Sequence, residues 1–122
     1  MSYLFSYLNP HNIDISNWDV GKVTDMSYMF CDCNKFTGQG LENWKPIKCK
    51  DMSFMFDGCS KFNSDLSSWN VSKVICMESM FENCAEFTGK GLETWKPKKC
   101  ENFFSMFDNC ISLKIIPNWY KF

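Results

Sequence analysis

Arginine is absent from this 122-residue chain, and all 13 basic residues are lysines. The guanidinium fork is the side chain best suited to bidentate contacts with phosphate and guanine edges, so its absence weighs against nucleic-acid readout. With 14 acidic residues the formal charge is −1, which leaves no bulk polyelectrolyte signal for nucleic acid or an anionic membrane. Histidine occurs once, as His11, and no Cys-x-x-Cys is present. Neither a zinc site nor a histidine-based catalyst is therefore expected. No apolar run reaches transmembrane length, and Met1-Ser2-Tyr3-Leu4-Phe5 has neither a basic n-region nor an apolar h-region. The expected location is the cytoplasm, of a cell or of an infected host, with no membrane partner.

What the chain does have is aromatic mass. Phe, Trp and Tyr make up 17% of it, including 12 Phe and 5 Trp, a content incompatible with a disordered tail. Those residues recur. Tryptophan stands at Trp18, Trp44, Trp69, Trp95 and Trp119, with gaps of 26, 25, 26 and 24. Met29-Phe30, Met55-Phe56, Met80-Phe81 and Met106-Phe107 keep the same register. Three residues after each Phe comes Cys33, Cys59, Cys84 or Cys110, followed by Phe36, Phe62, Phe87 or Leu113. The match tightens at twice the period: Phe36-Thr37-Gly38 and Leu41 to Pro46 return 51 residues later as Phe87-Thr88-Gly89 and Leu92 to Pro97. A repeat of about 25 residues is the signature of a stacked architecture.

Within a repeat, Val23, Met26, Met29-Phe30 and Cys33 fall at spacings that predict one face of a short helix. The stretch Asp65 to Trp69 predicts a brief strand. One strand and one short helix per coil give an α/β repeat, a leucine-rich-repeat-like right-handed solenoid of about 4.5 coils. As a single domain over 1–122, it divides into a half coil 1–14, coils 15–40, 41–65, 66–91 and 92–115, and a terminal part-coil 116–122. Gly38-Gln39-Gly40 and Gly89-Lys90-Gly91 are expected to supply positive φ at tight turns. They are not expected to cradle phosphate, because the predicted helix precedes them.

The string Leu66-Ser67-Ser68-Trp69-Asn70-Val71-Ser72-Lys73-Val74, followed by Met77, Met80-Phe81 and Cys84, strongly resembles the BspA-like leucine-rich-repeat family. The resemblance covers nearly the whole chain. It implies a solenoid used for binding proteins or host surfaces, with no common catalytic residues to carry over.

Residues repeated in every coil are expected in the core. Cys49 and Cys100 occupy the position of Val23 and Val74, so the cysteines are expected to act as small apolar residues with reduced thiols. Asp32, Asp57, Glu82 and Asp108 read as an exposed acidic column on a solvated face. Departures from the pattern are the candidate partner-binding residues. Tyr3, Tyr28 and Phe54 form an outward aromatic stripe, with Phe104 one position earlier in its coil. Lys45 and Lys48, and two coils on Lys96 and Lys99, form a modest basic patch. No enzyme activity, metal or cofactor is expected. The leading expectation is a non-catalytic intracellular protein-binding module that occupies a surface of a larger protein or complex. In that reading it is an inhibitor of a host protein, such as a defence nuclease, encoded by a virus or mobile element. The alternative is a structural or adhesive surface or virion element, and a homodimer through an uncapped end is the further partner considered. No sequence-specific nucleic acid is expected.

Overall fold

The computed structural model describes residues 1–9 and 13–120, so His11 lies outside the described residues. The strand-plus-helix coil expected from the sequence is not what forms. Among the described residues the only helical elements are two three-residue 3-10 turns, η1 (Leu41–Asn43) and η2 (Leu92–Thr94). No strand is present among them. There are only isolated parallel bridges, Asp25 to Asp51, Asp51 to Cys76 and Cys76 to Asn102. An α/β solenoid is therefore the wrong description.

The segment read as a helix is a run of tight turns. The amide of Met29 donates to the carbonyl of Met26, that of Cys33 to Phe30, and that of Phe36 to Cys33. Each of these bonds closes a four-residue turn, and the corner residues Met26, Met29, Phe30, Cys33 and Phe36 point into the core. Corners three residues apart imitate helical spacing. An α-helix is impossible here because Tyr28 and Asp32 both have φ of 59°, far from the helical value near −63°. Positive φ at the third residue of a turn is the type II requirement. The stretch read as a strand is also a turn, closed by the Trp69 amide on the Leu66 carbonyl.

The remaining amides join one repeat to the next. Met26, Tyr28, Phe30 and Asp32 donate to the carbonyls of Asp51, Ser53, Met55 and Asp57 at 2.7–3.0 Å. Met52, Phe54, Phe56 and Gly58 donate in turn to Cys76, Glu78, Met80 and Glu82. Met77, Ser79, Phe81 and Asn83 then donate to Asn102, Phe104, Met106 and Asp108. All of these bonds run from a repeat to the one after it. A parallel sheet would alternate donation in both directions; backward donation occurs only beside the bridges, where Lys50 donates to Thr24, Ile75 to Lys50 and Glu101 to Ile75, and at isolated points such as Asn63 to Thr37 and Glu86 to Ser60.

Side chains stack along the same direction. Phe5, Phe30, Phe56, Phe81 and Phe107 form a column with ring centroids 5.5–5.8 Å apart. The indoles carry a second bond: Nε1 of Trp44, Trp69, Trp95 and Trp119 donates to the carbonyl of Ile15, Leu41, Leu66 and Leu92 at 2.8–3.0 Å. A buried Trp brings large apolar area together with one donor that must be satisfied, and the preceding repeat satisfies it.

Gly38, Gly40, Gly89 and Gly91 all have positive φ, between 86° and 97°, as expected. Gly91 is the tightest against backbone, since a Cβ there would lie 2.5 Å from the amide nitrogen of Ser67. Gly91→Ala is expected to lose more than about 1–2 kcal/mol, because left-handed strain adds to a contact with unyielding backbone. Thermal or urea unfolding measures it, with the neighbouring exposed Lys90→Ala expected to leave the midpoint nearly unchanged.

Candidate functional site

Two tandem type II turns per repeat set two positions of positive φ, and they are filled differently. The second position holds Tyr7 in the first repeat and then Asp32, Gly58, Asn83 and Asn109, the last four being the residue types that adopt left-handed backbone at least cost. The first holds Tyr3, Tyr28, Phe54, Ser79 and Ser105. A bulky aromatic at positive φ is an outlier, and here three occur in consecutive repeats. Their rings stack on the outer surface: Tyr3 on Tyr28 at 4.5 Å and 5°, and Tyr28 on Phe54 at 4.7 Å and 7°. Tyr3 is 58% exposed, while Tyr28 and Phe54 are half-buried because each covers the face of the next. The column ends where Ser79 and Ser105 take the position.

The other candidates lie apart from this stack. Phe104 is 70% exposed, and its carbonyl occupies the register of Ser53 and Glu78. A whole repeat, with Ser79 at the aromatic position, separates it from Phe54, and none of the ring contacts among the described residues joins the two. Lys45, Lys48, Lys96 and Lys99 are all exposed on the segment between Trp and the bridge residue. The sequence reading missed that Lys22 and Lys73 share the register of Lys48 and Lys99, each lying three residues before a bridge residue. It also missed Tyr7 and Leu8, 71% and 68% exposed in the first repeat beside Tyr3.

The acidic column needs correction. The Asp32 amide donates to the Asp57 carbonyl just as Gly58 donates to Glu82, so Asp32 belongs with Gly58 and Asn83, while Cys31 is the counterpart of Asp57. Nor is the column uniformly solvated, since Asp57 and Glu82 are half-buried. Desolvation, aided by the charges of Glu82 and Asp32 and opposed by the Asn83 amide 3.1 Å away, raises the Asp57 carboxyl above its ordinary range.

The thiols of Cys33, Cys59, Cys84 and Cys110 are not merely space-filling. Each Sγ donates to a phenylalanine carbonyl of the preceding repeat (Phe5, Phe30, Phe56 and Phe81) at 2.9–3.0 Å. All eight cysteines are free. Burial pushes Cys110 and Cys49 up to about 11, and Cys31, next to Asp32, up to about 12. A nucleophile or metal ligand must be a thiolate, so these groups are held in their inert form.

An open hollow of about 670 Å³ has a lining that includes Ile13, Asp14, Lys35, Gln39 and Glu42. Its carboxylates are already committed. Asp14 accepts from the Ser16 hydroxyl and amide, which lower its pKa, and Glu42 accepts from the Gly40 amide at 3.1 Å. That bond also bears on the glycine loops. They do lead into a helical turn, contrary to expectation, but the turn is three residues long and a carboxylate sits where an anion would have to bind.

Two outcomes follow from this chemistry. Below the ordinary carboxyl pKa Asp57 is protonated in both states and costs nothing. As pH rises through its raised folded pKa, ionisation destabilises the fold. Asp57→Asn should therefore unfold at a higher temperature than the native chain at pH 7, and the difference should vanish near pH 3. Titration of the native chain with a thiol reagent at pH 8 should modify the half-buried Cys76 first and spare Cys33, Cys59, Cys84 and Cys110, with all eight reacting after unfolding.

No helix among the described residues is long and apolar enough to cross a membrane. No curated protein and no solved structure matches the chain. The family described as Mycoplasma protein of unknown function, DUF285, matches residues 1–119. The chain belongs to that family, which is related to the BspA-like repeat proteins.

Proposed function

We propose that the chain is a non-catalytic protein-binding module that works by occupying a surface of a larger protein. The observation that carries this reading is the stacked ladder of Tyr3, Tyr28 and Phe54, set at backbone positions that disfavour large side chains. A non-glycine residue at positive φ costs about 1–2 kcal/mol. The strain would be lower with Asn or Gly, which stand in the neighbouring column at Gly58, Asn83 and Asn109. Retained strain at an exposed site supports a functional role, and aromatic residues dominate the binding energy of interfaces. The stack presents ring edges and hydroxyls in a rigid row, so little side-chain entropy remains to be lost on docking. The effect on the partner is steric: what the docked module covers, no other ligand reaches.

A second reading, an adhesive or structural surface element, is favoured by kinship with the BspA-like repeat proteins. The two differ in what is recovered with the tagged chain. A binding module brings down one partner in fixed stoichiometry, whereas a structural element brings down further copies of itself. For the first reading, the combined Tyr28→Ala and Phe54→Ala variant should bind the captured partner at least about tenfold more weakly, given about 1 kcal/mol or more per interface ring. Its thermal unfolding, compared with that of the native chain, separates lost contact from lost fold. Unchanged affinity in a folded variant would refute the role of the ladder.

A further inference from the structure

The near-zero net charge of the chain conceals a separation of charge. In the segments 19–24, 45–50, 70–75 and 96–101 there are eight lysines against two carboxylates, Asp19 and Glu101. In the segments that follow, 25–34, 51–60, 76–85 and 102–111, there are seven carboxylates and no lysine. The fold lays equivalent segments one on the next, so the lysines gather along a single edge. Lys22, Lys48, Lys73 and Lys99 each precede by three residues the bridges that join Asp25, Asp51, Cys76 and Asn102. Bridged backbones lie about 4.8 Å apart, so these four cations are spread over roughly 14 Å in a straight row. Lys45 and Lys96 widen the row in alternate layers, and all six are exposed.

No ion pair among the described residues neutralises the row. Asp25 and Asp51 lie three residues after Lys22 and Lys48, yet each is tied to its own turn, accepting from the amide and hydroxyl of Ser27 or Ser53 at 2.7–2.9 Å, and Glu101, two residues after Lys99, forms no ion pair with it. In the next two layers Cys76 and Asn102 stand in their place, and Asn102 performs the same turn-closing task without charge. Asp19 is likewise engaged by the Gly21 amide. Away from the row, Lys61 pairs with Glu86 at 3.4 Å, the only ion pair among the described residues. Four like charges in register repel one another, so a ligand that supplies opposite charge at a similar interval gains from relieving that repulsion.

We propose that this edge binds a linear anionic polysaccharide, one bearing sulfate or carboxylate groups along an unbranched chain. A single-stranded nucleic acid would need aromatic platforms between the cations. The edge offers only Ile47 and Ile75 as exposed apolar residues, while the stacked rings Tyr28 and Phe54 sit in the following acidic segments and Tyr3 in the first repeat. Arginine, the residue that reads phosphate bidentately, is absent from the chain. A narrow row, one lysine wide at Lys22 and Lys73, matches a thread of charge better than the plane of a membrane. This inference does not depend on the aromatic ladder.

The test uses heparin as the probe, with single-stranded DNA and phosphatidylserine vesicles alongside, by titration at several salt concentrations. One variant carries Lys22→Gln, Lys48→Gln, Lys73→Gln and Lys99→Gln. The control carries Lys35→Gln, Lys61→Gln, Lys90→Gln and Lys114→Gln, and so has the same net charge. Heparin affinity should fall steeply with salt, drop about tenfold or more in the row variant, and stay within about twofold in the control. The row variant should unfold at the same temperature as the native chain or higher, because repulsion has been removed. Absence of heparin binding at low salt, equal losses in both variants, or tighter binding to DNA or to the vesicles would each overturn the proposal.

Discussion

The structure depends on one relay of hydrogen bonds: alternate amides of each turn segment point at carbonyls of the next repeat. Every other feature follows from keeping those amides aimed outward along the stack. A helix would consume the same groups internally, and a sheet would exchange them in both directions. The tandem turns do neither. They close Met26 on Met29 and Phe30 on Cys33, leaving Met26, Tyr28, Phe30 and Asp32 to donate across. Positive φ at Tyr28 and Asp32 is the geometric cost of that arrangement. The indole and thiol bonds repeat the logic with side chains, each reaching a carbonyl of the preceding repeat.

Much of the stacking was legible in the sequence. Trp44, Trp69 and Trp95 are buried, as are the Met-Phe pairs at 29–30, 55–56 and 80–81, because side chains that recur at one register must meet their own kind. The glycine pairs announced positive φ, and it is there. The secondary structure was misread for a definite reason: turn corners three residues apart give the same apolar spacing as a helix face. The signal that separates the two was present at Asp32, Gly58, Asn83 and Asn109, where a column of Asp, Gly and Asn marks left-handed backbone. Misaligning Asp32 by one position with Asp57 hid that column. Tyr28 and Phe54 could not have been read as left-handed, since their type argues against it.

The site was legible only in part. Tyr3, Tyr28 and Phe54 stand out as departures from a serine position, and the structure stacks them. Phe104 was grouped with them by type, and the fold keeps it apart. The lysines were noticed where they cluster in sequence, at 45–50 and 96–99. The lone Lys22 and Lys73 acquire meaning only once the bridges place them in the same row. A surface built by stacking thus carries two distinct ladders, one aromatic and one cationic, on successive segments of each turn. The carboxylates of Asp25, Asp51 and Asp14 are occupied in closing turns.

The most direct measurement of the relay is a through-hydrogen-bond NMR coupling from the amide nitrogen of Phe30 in isotopically labelled chain. The account predicts a coupling to the carbonyl carbon of Met55, with a matching one from Phe56 to Met80. A coupling from Phe30 to the carbonyl of Met26, the bond of an α-helix, would contradict it.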